Sequence, residues 1–291
     1  MRVAAVHDVE LAPKRRIRAR EYDGDGTPVV YLHGLLDSSD GWHDVASRSP
    51  RPAFALDLPG FGGSTCPRYE RIASYARDVG RALDGLGLDR FTLVGHSFGG
   101  AVATALTEQR PDQVASLALL APAGFGRIAI AELAANRLVT HAFQATLPLA
   151  LANPLTMTAI YSFWVANGMR ADDDLISRCR KQAFKVVPGA RQAVRTIVRC
   201  GIDERAFFRR EIAYDGPVVG LWGTRDRLVP VRHAQRMLRT FPDADVQIWE
   251  GLGHHPQRER PGQFDALIER ICRAADGPVA PRRGNVVPLA A

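Results

Sequence analysis

The residues best spaced for chemistry lie in Val94-Gly95-His96-Ser97-Phe98-Gly99-Gly100. A serine framed as Gly-x-Ser-x-Gly, between a short apolar run and an Ala-rich segment, suits a sharp strand-to-helix turn that presents its hydroxyl as a nucleophile. The flanking glycines let strand and helix approach closely, and the positive end of the following helix lies beside the hydroxyl. Attack on a carbonyl also needs a base, a group that orients the base, and donors for the oxyanion. His33-Gly34-Leu35 follows a second apolar run. Its turn can aim the Leu35 N–H at the reacting oxygen, with the Phe98 N–H as second donor, and His33 reads as the residue that holds the turn. Asp226, in Gly223-Thr224-Arg225-Asp226-Arg227, can meet an imidazole, although its two arginine neighbours also suit a surface ion pair. Two adjacent histidines, His254 and His255, follow Gly253. Serine, aspartate and histidine therefore come in one of the known chain orders of a nucleophile–acid–base triad.

These residues share a position: each candidate follows a segment that reads as a strand. Pro28–Leu32, Ala53–Leu56, Phe91–Val94, Leu117–Leu120, Val218–Trp222 and Val246–Trp249 are apolar runs that suit strands buried on both faces. Arg15–Tyr22 alternates and suits a half-exposed strand. Between the runs, Ile72, Tyr75, Val79, Leu83 and Leu86 share one helical face, and Phe98 to Arg110 stops before Pro111. Further helices are expected near His233–Thr240 and Gln263–Ala274. The alternation predicts an α/β fold with a mostly parallel central sheet and helices on both faces. The rhythm breaks between Gly124 and Glu211, where the chain reads as helical and apolar. The expected organisation is a hydrolase core in residues 1–124 and 211–275, a helical cap in 125–210 and a flexible tail in 276–291. A cap at this point would overlie the strand C-termini, where α/β sheets bind ligands.

With those motifs in place, the chain resembles the α/β-hydrolase superfamily from about Pro28 to Pro261. Asp57-Leu58-Pro59-Gly60-Phe61-Gly62-Gly63-Ser64 resembles the family's D-x-P-G-x-G-x-S loop. Gly223-Thr224-x-Asp226-x-x-Val229-Pro230 resembles its acid loop, and Gly253-His254-x-Pro256-x-x-Glu259-x-Pro261 its histidine loop. The resemblance implies the α/β-hydrolase fold with Ser97 as nucleophile, Asp226 as acid and His254, rather than His255, as base. It does not name the substrate. Carboxylic-ester hydrolysis of an apolar small molecule through an acyl-enzyme is the first expectation, with cap residues such as Phe143, Leu147, Met157, Tyr161, Phe163 and Trp164 available to line a cleft. A carbon–carbon bond hydrolase of meta-cleavage products is the alternative. Such enzymes commonly carry Trp after the catalytic histidine and a G-x-G-P-G loop after His-Gly, whereas this chain has His255 and Leu35-Leu36-Asp37-Ser38-Ser39. Ser97 argues against relatives that use an aspartate nucleophile. Acyl transfer to an alcohol and cofactor-free haloperoxidase-like chemistry use the same triad, and a non-catalytic binding protein is the expectation from another class.

Composition narrows the partners. With 46% hydrophobic and 24% charged residues the chain reads as globular. The net charge of +7 comes from arginines scattered along the chain, since only Lys14, Lys181 and Lys185 are lysines. No basic stripe with interleaved aromatics is present, so nucleic acid is not an expected partner. No run is long and apolar enough for a bilayer, and Met1–Asp8 lacks the apolar stretch of a signal peptide, so a cytoplasmic location without membrane attachment is expected. Cys66, Cys179, Cys200 and Cys272 lack metal-ligand spacing and are expected as free thiols. The triad chemistry requires no cofactor and no metal.

Overall fold

The computed structural model describes residues 3–65, 71–129, 138–139, 141–142, 145–146, 150, 153–160, 210–276 and 287–288. Among them, nine strands form one sheet in the order β1-β2-β4-β3-β5-β6-β7-β8-β9. β1 (Ala5–Ala12) and β2 (Arg15–Tyr22) are an antiparallel pair, and β2 runs antiparallel to β4 (Ala53–Leu56). From β4 onward the sheet is parallel, through β3 (Val29–Leu32), β5 (Phe91–His96), β6 (Val114–Leu120), β7 (Val218–Gly223) and β8 (Asp245–Trp249). Within the segment expected as a tail, β9 (Val287–Pro288) pairs with β8.

The apolar runs are what a sheet covered on both faces demands, because alternate side chains enter different cores. Val30 and Leu32 point to one core with Leu93, Leu117, Leu119 and Trp222. Val29 and Tyr31 point to the other with Val94, Ala118, Leu120 and Leu221. The first core is covered by α2 (Ile72–Gly85) and α3 (Phe98–Gln109). The second is covered by α1 (His43–Arg48) and by Phe264, Leu267, Ile268 and Ile271 of a long C-terminal helix described below. Phe125 and Ile128, the start of the expected cap, and Ile212, just after it, belong to the first core, so the chain is anchored there at both ends of that segment. The cap itself falls largely outside the described residues, which include the helix α4 (Pro154–Ile160) within it.

Strand order explains where a site can form. β4 lies on one side of β3 and β5 on the other, so the connections after β3 and β5 depart to opposite faces. Such a switch point leaves a crevice beyond the strand C-termini. His33-Gly34-Leu35 leaves β3 and Ser97 leaves β5, so both flank that crevice.

Candidate active site

Ser97 sits between β5 and α3 at φ 54° and ψ −117°, a backbone conformation that side chains rarely adopt. Strain of this kind costs on the order of 1–3 kcal/mol and persists only where the surroundings over-determine it. Here they do. The Ser97 N–H donates to Leu120 O at 2.9 Å, and Ser97 O accepts from the amides of Gly100 and Ala123, each at 2.9 Å. A Cβ on Gly95 would stand 2.6 Å from Gly99 O, and one on Gly99 would collide with the carbonyl oxygens of Leu32 and His33. The motif's two glycines are thus required by the contact of α3 with β5 and β3.

The loop after β3 is pressed against the serine. A Cβ on Gly34 would lie 3.3 Å from Ser97 Cβ and 3.1 Å from His96 Nδ1. The buried His33 ring fixes this loop, donating from Nδ1 to Gly34 O (2.7 Å) and accepting at Nε2 from Leu58 N–H (2.9 Å). These partners assign its tautomer. Asp57 adds two ties, from Ser39 N and Gly63 N, each 2.6 Å. The D-x-P-G loop is therefore scaffolding for the loop that carries Leu35. Neither the Leu35 nor the Phe98 amide has a hydrogen-bond partner among the described residues.

Asp226 and His254 meet in the interior. His254 Nδ1 lies 2.7 Å from Asp226 Oδ2, and the two side chains are 3% and 0% exposed. The second carboxylate oxygen, Oδ1, accepts from the Leu228 and Val229 amides, both at 2.8 Å. Asp226 is thus turned inward to the imidazole, which answers the surface ion-pair reading. Because Nδ1 is engaged, Nε2 is the ring nitrogen left to exchange protons. His255 is differently placed: its Nδ1 lies 3.3 Å from Gln257 Nε2 in the short helix α5 (Pro256–Glu259). Beyond it, α6 (Pro261–Asp276) is the long helix that covers the second core.

Two residues near the site carry structure that no spacing rule announces. His96 is buried beside Ser97, and its ring lies 4.7 Å from that of His254 and 4.5 Å from that of His255. Burial, then the neighbouring His254, hold its pKa well below the ordinary histidine value. Asp37, in the loop after Leu35, accepts from Arg258 of α5 at 3.3 Å, tying that loop to the histidine loop.

A pH dependence of stability follows from His96 and from His233, which is fully buried where Gly126 packs on its ring. Burial, with Arg232 and Arg236 nearby, lowers the His233 pKa to about 4. Unfolded, both rings would protonate near the usual value of about 6.5, so below it the unfolded chain binds more protons than the native one. Stability is expected to fall with pH from about 6.5 toward 4, by about 1.4 kcal/mol per pH unit for each ring that stays neutral in the fold. Urea unfolding at pH 7, 5.5 and 4.5 checks this. A decline that is shallower in His233→Leu is expected, and equal stability at pH 7 and 5 would contradict it.

A sequence model of the family described as alpha/beta hydrolase fold matches residues 27–261. An uncharacterised protein of Mycobacterium tuberculosis is 30% identical over 274 residues, covering 87% of this chain and 77% of that protein. The 2-hydroxymuconate semialdehyde hydrolase of Pseudomonas putida is 26% identical, covering 87% of this chain and 89% of the enzyme. Among solved structures, a thermophilic esterase from Thermogutta terrifontis superposes with a TM-score of 0.73 at 21% identity, covering 94% of this chain and all of that one, 100%. No helix among the described residues is long and apolar enough to cross a membrane.

Proposed function

Since the chain belongs to the α/β hydrolase fold family, we propose that it is a serine hydrolase cleaving carboxylic esters of apolar small molecules. The observation that carries this reading is the buried 2.7 Å His254–Asp226 pair in the same site as a serine held at a strained strand-to-helix turn. His254 Nε2 takes the Ser97 proton as Oγ attacks the ester carbonyl. Asp226 holds the Nδ1–H tautomer and stabilises the imidazolium that forms. The Leu35 and Phe98 amides receive the oxyanion, each such donor being worth about 3 kcal/mol in a dry site. The proton on His254 passes to the leaving alkoxide, and the alcohol departs. Water then attacks the acyl-enzyme with His254 again as base, releasing the acid and restoring Ser97.

The apolar preference is supported by the sequence of residues 125–210, which is rich in Ala and Phe and holds Trp164. A lid of that composition would exclude water and strengthen the oxyanion donors as the local dielectric falls. Similarity to the 2-hydroxymuconate semialdehyde hydrolase favours carbon–carbon bond hydrolysis as the second reading. His255 and the Leu35-Leu36-Asp37-Ser38-Ser39 loop weigh against it.

A panel of p-nitrophenyl esters of increasing acyl length, run beside a meta-cleavage dienoate, separates the two. Ester turnover is expected, with kcat/KM higher for a neutral apolar ester than for its charged analogue. Faster cleavage of the dienoate than of any ester would overturn the ester reading, and a preference for the charged ester would contradict the apolar pocket.

A further inference from the structure

The loop that carries His254 is glycine-rich, Gly251-Leu252-Gly253, with Gly251 at φ 77°. Such a loop is permissive, and ordering it costs roughly 1–2 kcal/mol per residue. Yet an imidazole serves as a base only when its nitrogen is held within about an ångström of its place. The Asp226 bond fixes the ring about one atom, Nδ1, and says nothing of what fixes the main chain beneath it.

The 252–253 peptide group, one residue before His254, and the 254–255 peptide group directly after it are each held at both ends. In the 252–253 peptide, Leu252 O accepts from Arg225 N at 2.8 Å, and Gly253 N donates to Glu259 at 2.9 Å (Oε2) and 3.1 Å (Oε1). In the 254–255 peptide, His254 O accepts from His96 Nε2 at 2.8 Å, and His255 N donates to Glu259 Oε1 at 3.1 Å. One carboxylate therefore receives the amides before and after His254. The two carbonyl partners are chain neighbours of the other triad candidates: Arg225 precedes Asp226 and His96 precedes Ser97. Glu259 itself is set by α5, its own N–H donating to His255 O at 3.0 Å.

We propose that Glu259 and His96 form a main-chain clamp that positions His254 for proton transfer with Ser97. This rests on the reading of Ser97 and His254 as nucleophile and base. Both are positioning residues, since they act on the peptide groups around His254. The clamp needs no charge: Oε1 alone accepts both amides, so a glutamine with its oxygen there keeps it. Glu259→Leu preserves volume but strands two N–H groups. Glu259→Asp keeps the carboxylate and withdraws it by one methylene.

The test compares Glu259→Gln, Glu259→Asp and Glu259→Leu with wild type in ester hydrolysis, together with His96→Gln and His96→Leu. The clamp predicts that Glu259→Leu loses about 100-fold in kcat at near-constant KM, that Glu259→Asp loses about 10-fold, and that Glu259→Gln stays within about threefold of wild type. His96→Gln should likewise retain more kcat than His96→Leu. In proton NMR, the downfield resonance of a His254 Nδ1–H bonded to Asp226 should broaden or vanish in Glu259→Leu and persist in Glu259→Gln. Should the leucine variants not fold, the aspartate and glutamine variants carry the comparison. Wild-type kcat in Glu259→Asp, or a loss in Glu259→Gln equal to that in Glu259→Asp, would overturn the clamp. Wild-type turnover in Ser97→Ala would instead reject the nucleophile assignment on which it stands, so the two failures are distinguishable.

Discussion

Ser97→Ala is expected to lose ester turnover by about a million-fold in kcat while keeping its fold, the scale on which a triad nucleophile is missed. The fold should survive because alanine keeps the Cβ, so the φ of 54° is no more strained than with serine. The ties of the turn, to Leu120, Gly100 and Ala123, are all main-chain bonds and remain. His254→Ala should fall to a similar floor, because serine without its base is a weak nucleophile. His255→Ala should retain far more activity, since the Asp226 carboxylate lies against His254 Nδ1 whereas His255 Nδ1 faces Gln257. Steady-state kinetics on a p-nitrophenyl ester, with circular dichroism to establish folding, checks the set. Turnover of Ser97→Ala at the wild-type rate, or a greater loss in His255→Ala than in His254→Ala, would reject these assignments.

Asp226→Asn carries the second large effect, about ten-thousand-fold in kcat with little loss of stability. The geometry says why both halves hold. The asparagine oxygen can keep the place of Oδ1, where it accepts from Leu228 and Val229, so the loop stays formed. The amide NH2 then faces His254 Nδ1 in place of Oδ2. Nδ1 must accept, the ring proton moves to Nε2, and the nitrogen proposed to take the Ser97 proton can no longer do so. Near-normal kcat in a folded Asp226→Asn protein would remove Asp226 from the mechanism. The end of β6, another strand that could supply an acid, reads Ala121-Pro122-Ala123-Gly124 and holds no carboxylate.

What was legible in the sequence follows the depth of burial. β3, β4, β5, β6 and β7 are buried on both faces, so their composition is almost purely apolar and reads as strand. β1 went unread because neither of its faces is deeply covered: Val6, Asp8 and Glu10 are exposed, and the opposite face is only half-buried up to Leu11. α1 and the 3-10 turn at Ser39–Trp42 are short, with too few turns to show a period. At the site, serine, aspartate and histidine were legible because each is fixed by its local turn. The ties between loops were not. His96 reaches His254 across 158 residues of sequence, and Arg258 reaches Asp37 across 221. No local pattern encodes such a partner, because it depends on which strand ends the topology brings together. Glu259 was visible as a member of the histidine-loop motif, yet its role emerges only from the two amides it receives. Of the cysteines, Cys272 is a free buried thiol, and the other three lie outside the described residues.

The central claim is that Ser97 is a nucleophile activated by His254, and covalent labelling tests it most directly. The folded protein would be treated with a fluorophosphonate, which reacts with activated serines, and the modified peptide located by mass spectrometry. One adduct per chain is expected, on Ser97, formed rapidly in wild type and far more slowly in His254→Ala. No adduct on the folded wild-type protein, an adduct on another residue, or equal labelling rates in wild type and His254→Ala would contradict it.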